Sequence, residues 1–126
     1  KDYKEVYEYR NIKVTIVEQG EFHATINESL AIALLTNLLK NAFVHNVSGG
    51  CIHVKITKYR ITFRNTGTNH PLDKEHIFER FYQGSRKEGS TGLGLAIANS
   101  ICRLQHLKLQ YYFEHQEHCF DILKRN

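Results

Sequence analysis

The chain of 126 residues contains no methionine, only one proline and only three cysteines. Because a natural reading frame starts with methionine, we expect this chain to be a piece of a longer protein. Cys51, Cys102 and Cys119 are far apart and form no C-x-x-C pair, which argues against a disulfide framework and favours reduced, buried thiols. No apolar run approaches the roughly 18–20 residues that span a bilayer. The N-terminal residues also lack the basic and apolar segments of a signal peptide.

The charge of the chain is close to balanced, with 17 basic and 13 acidic residues and a formal net charge of +4. The excess is scattered along the sequence, whereas nucleic-acid-binding domains concentrate it in a stripe. We therefore expect no nucleic-acid partner. Hydrophobic residues make up 41% and charged residues 24%, which is typical of globular proteins. The length suits one domain over residues 1–126.

Hydrophobic periodicity divides the first half of the chain into strands and a helix. Alternation predicts strands over residues 6–9 and 12–17, with a third short strand over 21–25. From Glu28 the period becomes 3.6, with Asn27 as a plausible N-cap, and the helix ends near His45. The apolar stripe predicted for this helix consists of Leu30, Leu34, Leu35, Leu38, Leu39 and Ala42.

The second half predicts a hairpin, an irregular segment, a helix and two further strands. The hairpin pairs residues 51–58 with 59–65, and residues 66–91 lack sustained periodicity. A connection of that length is usually functional or disordered. The helix covers about 93–104, and the final strands cover 108–114 and 118–124. This order predicts an α+β fold, a two-layer α/β sandwich with a mixed, mainly antiparallel sheet and helices on one face.

Asn37, Asn41 and His45 follow one another at intervals of four, which places them along one face of the first helix. Asparagine is a poor helix former because its side chain competes with the backbone, so two on one face indicate a function. Carboxamide oxygens suit a hard cation such as Mg²⁺. The alternative is a solvated helix face.

Two glycine-containing segments are candidate ligand sites. Residues 89–95 open the second helix, where glycines permit close backbone approach and the helix N terminus favours phosphate. The alternative is a flexible junction. Asn65 and Gly67 end the hairpin, where Asn65 could hydrogen-bond an adenine edge and Gly67 could let the ring approach. The alternative there is an ordinary turn.

Taken in order, these segments resemble one family, the catalytic ATP-binding domains of bacterial sensor histidine kinases, which belong to the GHKL ATPase superfamily. The sequence NLLKNA at 37–42 is similar to the family's N box, and NTG at 65–67 falls at its G1 box. IFERFY at 77–82 is similar to the F box, and TGLGLAI at 91–97 to the G2 box. The resemblance covers nearly the whole chain.

The resemblance implies ATP and Mg²⁺ as cofactors, with Asn37 and Asn41 as catalytic residues and Asn41 as the metal ligand. Residues 68–90 would form a lid over the nucleotide, anchored by Phe78 and Phe81. The nucleotide-binding residues that it implies are Asn37, Asn41, His45, Asn65, Gly67, Phe81, Thr91, Gly92, Leu93, Gly94 and Leu95.

Asn37 also favours one reaction within the superfamily. Hydrolytic members carry an N-box glutamate that activates water, and an amide cannot accept a proton at neutral pH. The resemblance therefore implies transfer of the γ-phosphoryl group to a protein histidine. A serine kinase of the anti-sigma type ranks lower, since those proteins keep the glutamate.

Three positions depart from the family pattern. Asn65 stands where the family usually has an aspartate, Asn69 replaces the second glycine of the G1 box, and Gln83 stands where an arginine often follows the F box. Arg86 and Lys87 lie nearby and could substitute for it. These departures keep an alternative open: a GHKL-fold regulatory or protein-interaction module with weak or no ATP use.

The resemblance also implies partners. The acceptor histidine would lie on the protein's own dimerisation domain, absent from this chain, and a response regulator would receive the phosphoryl group afterwards. The chain alone is expected to be a monomer and the full-length protein a homodimer. It would be a cytoplasmic domain of a protein in the bacterial inner membrane.

The segment at residues 115–119 has the composition of a metal cluster but the wrong geometry. On a strand, adjacent side chains point to opposite faces, so Glu117, His118 and Cys119 cannot converge easily on one tetrahedral ion. We interpret it as a polar turn followed by a buried thiol. The neighbouring aromatic residues 111–113 are interpreted as sheet residues and not as a platform for stacking bases.

Overall fold

The structure is a computed structural model that describes residues 11–82 and 92–125. The described ranges contain five strands and two helices. Their bounds are β1 Lys13–Glu18, α1 Glu28–Val44, β2 Cys51–Ile56, β3 Arg60–Asn65, α2 Gly94–Leu104, β4 Leu107–Glu114 and β5 Glu117–Lys124.

The strands form one sheet in the order β1-β2-β3-β5-β4. The β1–β2 pair is parallel and the other three pairs are antiparallel. Parallel neighbours need a crossover connection, and α1 supplies it between β1 and β2. Both helices pack on the same face of the sheet and against each other, which confirms the predicted mixed sheet with helices on one face. Within the described ranges, neither helix is long and apolar enough to cross a membrane.

Helix α1 begins where its capping residue predicts. The Asn27 Oδ1 atom accepts a hydrogen bond from the Leu30 N–H at 3.1 Å, which satisfies one of the unpaired donors of the first turn. Glu28 adds a negative charge at the positive end of the helix dipole. The helix ends at Val44 with His45 as its C-cap, as predicted.

The apolar stripe predicted on α1 is wider than the face that contacts the core. Leu34, Leu38 and Ala42 are buried, whereas Leu35 and Leu39 are 41% and 38% exposed. At about 100° per residue, Leu35 and Leu39 lie beyond the arc that the sheet and α2 cover. The prediction was therefore wrong for these two leucines.

The predicted strand over residues 21–25 does not form, because these residues take no strand conformation. Gly20, with φ +155°, redirects the chain next to the backbone of Lys58. Phe22 then packs against the core as a partly buried side chain. The predicted strand over residues 6–9 lies outside the described residues.

The β4–β5 hairpin turns through His115 and Gln116, both with positive φ (53° and 65°). Two such residues match the right-handed twist of the flanking strands. The register places Glu114 directly opposite Glu117, which would be repulsive alone. Arg64 on β3 lies 3.5 Å from Glu114 Oε2 and 3.1 Å from Glu117 Oε1, and so stabilises the pair.

Candidate functional site

Two adjoining cavities lie between the helices, the end of the sheet and the segment after β3. They share Asn41 and His45 from α1, Ile77 and Tyr82 from the segment after β3, and Leu95 from α2. One cavity extends under the sheet and the other extends toward the start of α2. Together they form a cleft with two ends, which we call the sheet end and the helix end.

The helix end contains the asparagines predicted on one face of α1. Asn37, Asn41 and His45 all line the cleft, together with Lys40. Asn37 Nδ2 donates to the Ala33 carbonyl oxygen at 2.8 Å, which offsets part of the cost of an asparagine inside a helix. Lys40 adds a cation that the sequence prediction did not single out.

The start of α2 closes the helix end, and two glycines permit the approach. A Cβ on Gly94 would lie 3.1 Å from Asn37 Oδ1, and a Cβ on Gly92 would lie 2.6 Å from the Phe81 Cα. Gly92 also has a φ of +75°, which favours glycine. The first turn of a helix carries N–H groups without helical partners, and the N-cap Leu93 makes no side-chain hydrogen bond to them. Such a turn favours an anion.

The sheet end contains a buried acceptor. Asn65 is 2% exposed, and its Nδ2 donates to the Thr66 carbonyl oxygen at 2.7 Å. Within residues 11–82 and 92–125, its Oδ1 is a buried side-chain oxygen with no hydrogen-bond partner. Because leaving a buried acceptor unpaired costs about 1–3 kcal/mol, this oxygen indicates a place for a donor from a ligand.

Gly67 packs against both walls of the sheet end, which are the C-terminal end of α1 and strand β5. A Cβ there would lie 2.9 Å from the His45 carbonyl oxygen and 3.0 Å from His118 Cδ2. A larger residue would push these walls apart, because the nearest atom belongs to the backbone. The close approach explains why glycine follows the Asn65–Thr66 pair.

His118 forms part of the same wall and holds the segment after β3 to the sheet. Its Nε2 lies 2.8 Å from the Thr68 carbonyl oxygen, which can only accept. The Nδ1 atom of the neutral ring therefore accepts from Tyr111 Oη, 2.8 Å away. Tyr111 Oη in turn accepts from the Leu72 N–H at 2.9 Å.

Burial at this wall changes the proton affinity of both side chains. It lowers the pKa of His118, with the Thr68 carbonyl opposing and nearby His70 reinforcing the shift. It raises the pKa of Tyr111, against the opposing effect of the Leu72 N–H. Both groups are therefore neutral at pH 7, which suits the chain of hydrogen bonds between them.

Of the two residues predicted to anchor the segment after β3, Phe78 packs as predicted and Phe81 does not. Ile77 is buried and Phe78 packs against the core, its ring 6.5 Å from that of Phe120. Phe81 is 65% exposed, and the neighbouring Tyr82 lines both cavities instead. Phe81 has a positive φ of 64°, which is uncommon for a residue other than glycine. The prediction that Phe81 is an apolar anchor was wrong.

Most of the other predicted residues come together in the cleft. Gly92, Gly94 and Leu95 line it, while Leu93 is the N-cap of α2. Thr91 and most of the predicted lid beyond Tyr82 lie outside the described residues. The sequence prediction missed Tyr82, Lys40 and His118; the alternation along β5 could have placed His118 on the inner face with Phe120.

The residues at the helix end fit a magnesium ion. Asn41 offers a neutral amide oxygen beside Asn37, and hard oxygen ligands from few protein groups are typical of Mg²⁺ bound with phosphates. Within the described residues that line the cleft, no aspartate or glutamate is present. Substrate phosphates would therefore have to supply most of the negative charge.

The comparisons with known proteins show the family to which the chain belongs. Residues 26–121 match the family described as histidine kinase-, DNA gyrase B- and HSP90-like ATPases. Sensor histidine kinase RppB of Synechocystis sp. is 43% identical over 94 residues, covering 68% of this chain and 21% of that protein. Heme sensor protein HssS of Staphylococcus aureus is 36% identical over 90 residues, covering 68% and 20%. The chain thus spans about a fifth of the length of these curated relatives.

Solved structures show the same fold. The catalytic domain of histidine kinase ThkA superposes with a TM-score of 0.82 at 21% identity, covering 98% of this chain and 85% of that one. The mycobacterial sensor histidine kinase MprB superposes with a TM-score of 0.74 at 20% identity, covering 97% and 87%. The chain therefore belongs to the family of histidine kinase-, DNA gyrase B- and HSP90-like ATPases, as an ATPase catalytic domain of the histidine kinase type.

Proposed function

We propose that the cleft binds Mg-ATP, with the adenine at the sheet end and the phosphates at the helix end. The observation that carries this proposal is the buried Asn65 Oδ1, which has no hydrogen-bond partner among the described residues. The adenine amino group is a donor of the kind that this oxygen lacks. Because Asn65 Nδ2 is held by the Thr66 carbonyl oxygen, its amide presents the acceptor, and not the donor, to the ligand.

At the other end, Asn41 and Asn37 would hold Mg²⁺ and the phosphates, supported by Lys40 and the first turn of α2. When bound, Mg²⁺ neutralises charge on the transferring phosphoryl group. The protein contributes positioning and electrostatic stabilisation. Gly94 keeps the start of α2 close to Asn37, so both elements can contact the same phosphates.

We propose phosphoryl transfer to a histidine, and not hydrolysis, as the reaction. Water attack needs a general base, and the described lining residues include no carboxylate. Both nitrogens of His118 are already engaged by Tyr111 and Thr68. The acceptor histidine would belong to a dimerisation domain of the longer protein.

The relatives support a proposal for the longer protein as a whole. RppB is named a sensor histidine kinase, and ThkA has been solved in complex with a response regulator protein. We therefore propose that the longer protein is a homodimeric sensor kinase in the bacterial inner membrane, with this domain in the cytoplasm. A response regulator would take the phosphoryl group from the acceptor histidine.

Calorimetric titration tests nucleotide binding directly. The chain is titrated with ADP and with a non-hydrolysable ATP analogue, each with and without Mg²⁺. We expect saturable binding, and Asn41→Ala to weaken the Mg²⁺-dependent part at least about tenfold, the equivalent of about 1.4 kcal/mol. Thr36→Ala, at an exposed position of the same helix, is the matched control and should bind like the parent chain.

Phosphotransfer is measured separately, with the chain joined to a dimerisation domain that carries an acceptor histidine. We expect acid-labile phosphohistidine from labelled ATP, lost in Asn41→Ala and kept in Thr36→Ala. Failure to bind millimolar nucleotide in the folded chain would contradict the proposal. A regulatory or protein-interaction module of the same fold would then be favoured.

A further inference from the structure

The outer face of the sheet, opposite the helices, brings together three potential metal ligands. Cys51 and His53 lie on β2, and Glu117 begins β5. The thiol sulfur, an imidazole nitrogen and a carboxylate oxygen all lie within 4.8 Å of one another, and all three residues are partly buried. The sequence prediction weighed Glu117 only with its neighbours in sequence and did not consider β2.

Strand geometry explains the convergence. Residues two apart on a strand share a face, so Cys51 and His53 point the same way. β3 separates β2 from β5 but ends at Asn65, level with the start of β5. The long side chain of Glu117 therefore reaches across, and its Oε2 lies 3.7 Å from the Cys51 Sγ.

We propose that Cys51, His53 and Glu117 form a binding site for one Zn²⁺ ion. Zinc is bound by cysteine sulfur at about 2.3 Å and by histidine nitrogen or carboxylate oxygen at about 2.0–2.2 Å. In a tetrahedron these bond lengths correspond to ligand separations of about 3.3–3.7 Å. The Cys51–Glu117 separation of 3.7 Å already fits, and the His53 nitrogen lies within 4.8 Å of both other ligand atoms. Three protein ligands leave the fourth position open to water or to a partner's side chain.

The surrounding charges leave one carboxylate oxygen available. Arg64 Nε lies 3.1 Å from Glu117 Oε1, so Oε2 is the atom directed at Cys51. Arg64 also lies 3.5 Å from Glu114, which offsets its positive charge next to a cation. This arrangement orients the Glu117 ligand from outside the coordination sphere, as residues around metal sites commonly do.

The site differs from the Mg-ATP cleft in position and in ligand chemistry. The helices and the cleft lie on one face of the sheet, and this cluster lies on the other. Thiolate and imidazole ligands select zinc-like cations, whereas magnesium prefers oxygen. The inference therefore does not depend on nucleotide binding, and its test needs no nucleotide.

Titration of the reduced, metal-free chain with Co²⁺ is the sharpest test, because thiolate ligation gives a sulfur-to-metal charge-transfer band in the near ultraviolet. We expect this band to saturate at one equivalent and to disappear when Zn²⁺ is added. Cys51→Ser should abolish the band. His53→Gln and Glu117→Gln should each weaken binding at least about tenfold, comparable to the loss of groups that support a metal.

Cys119→Ser is the matched control, because Cys119 lies on the same face of the sheet but outside the cluster. It should retain the band, although serine at this fully buried position is expected to lower the melting temperature. The three cluster variants, at partly buried positions, should keep their metal-free melting temperature close to that of the parent chain. A band that persists in Cys51→Ser would overturn the proposal. So would unchanged Co²⁺ affinity in both His53→Gln and Glu117→Gln, or no saturable band in the parent chain.

Discussion

Strand β5 separates two environments that differ in chemistry although both are buried. His118, Phe120 and Ile122 point toward the helices, whereas Cys119 and Asp121 point to the outer face, and all five are buried. The inner side is filled by apolar side chains from both layers. On the outer side, polar and charged side chains of neighbouring strands cover the backbone.

Asp121 shows how the outer face is built. Its carboxylate accepts hydrogen bonds from Arg60 at 2.8 Å and Thr62 at 2.7 Å, and from Gln110 and Tyr112 at 3.2 Å each. A buried charge is tolerated when it is paired and fully hydrogen-bonded. The inner face is therefore stabilised by apolar burial, and the outer face by a satisfied polar network.

The largest expected loss of stability comes from Phe120→Ala, on the inner face. Phe120 is 2% exposed, with its ring 5.1 Å from Tyr111. Truncating a buried phenylalanine costs about 3–5 kcal/mol, since transfer and cavity costs add. Chemical denaturation should show this loss in the free energy of unfolding. Leu123→Ala, on the outer side of the same strand, is the control and should lower the free energy of unfolding by less than half as much. Equal losses would contradict the inference that apolar burial stabilises mainly the inner face.

The second largest expected loss of stability comes from Asp121→Ala, on the outer face. The change leaves four donors without their acceptor, but Arg60 is 44% exposed and can be solvated. We expect a loss of about 1–3 kcal/mol in the free energy of unfolding. Asp121→Asn should recover little, because its amide group would face donors. A loss no larger than that of Lys108→Gln, an exposed change on the same face, would show that the network contributes nothing.

The difference between the apolar inner face and the polar outer face explains which parts of the structure the sequence could predict. Alternation and helical periodicity report apolar burial, so the strands around Phe120 and the helix around Leu38 were predicted almost at their bounds. Leu35 and Leu39 were misassigned because periodicity does not show how wide an arc the partner layer covers. The Asp121 network depends on pairing between distant strands, which one sequence does not reveal.

In the cleft, too, the sequence indicated residues in local motifs but not residues defined by contacts between distant parts of the chain. Asn37, Asn41 and Gly94 were predicted because each lies in a short motif with its own local geometry. His118 was missed because its contacts are with Tyr111, across a hairpin, and with Thr68, which follows the neighbouring strand β3. Residues that act through long-range contacts need the register of the strands before they can be recognised.

His118 gives a smaller, pH-dependent effect that belongs to the inner face. Burial lowers its pKa in the folded chain, below the unfolded value of about 6.5. As pH falls, the unfolded chain therefore takes up a proton first. The contribution of neutral His118 to the free energy of unfolding is therefore complete above about pH 6.5. It is lost as pH falls from 6.5 toward the pKa of the folded chain. Each pKa unit between the two states corresponds to about 1.4 kcal/mol.

The measurement compares the free energy of unfolding of the parent chain and His118→Gln from pH 7.5 to 5.5, with EDTA present. The other histidines are present in both proteins, so the difference isolates His118. We expect the parent chain to lose more stability on acidification than the variant. Parallel pH profiles would mean that His118 is not held neutral by the inner face.

The smallest effect is on thiol reactivity, with no expected change in stability. Burial raises the pKa of Cys102 on α2 and of Cys119 on the outer face to about 11 each. Burial and Glu117 raise the pKa of Cys51, which is only partly buried. Because the thiolate is the reactive form, exposure decides the order among these thiols. With EDTA present, we expect a disulfide reagent to modify Cys51 first and the other two only at the rate of unfolding. Rapid modification of Cys119 in the folded chain would show that polar side chains do not seal the outer face as completely as the helices seal the inner one.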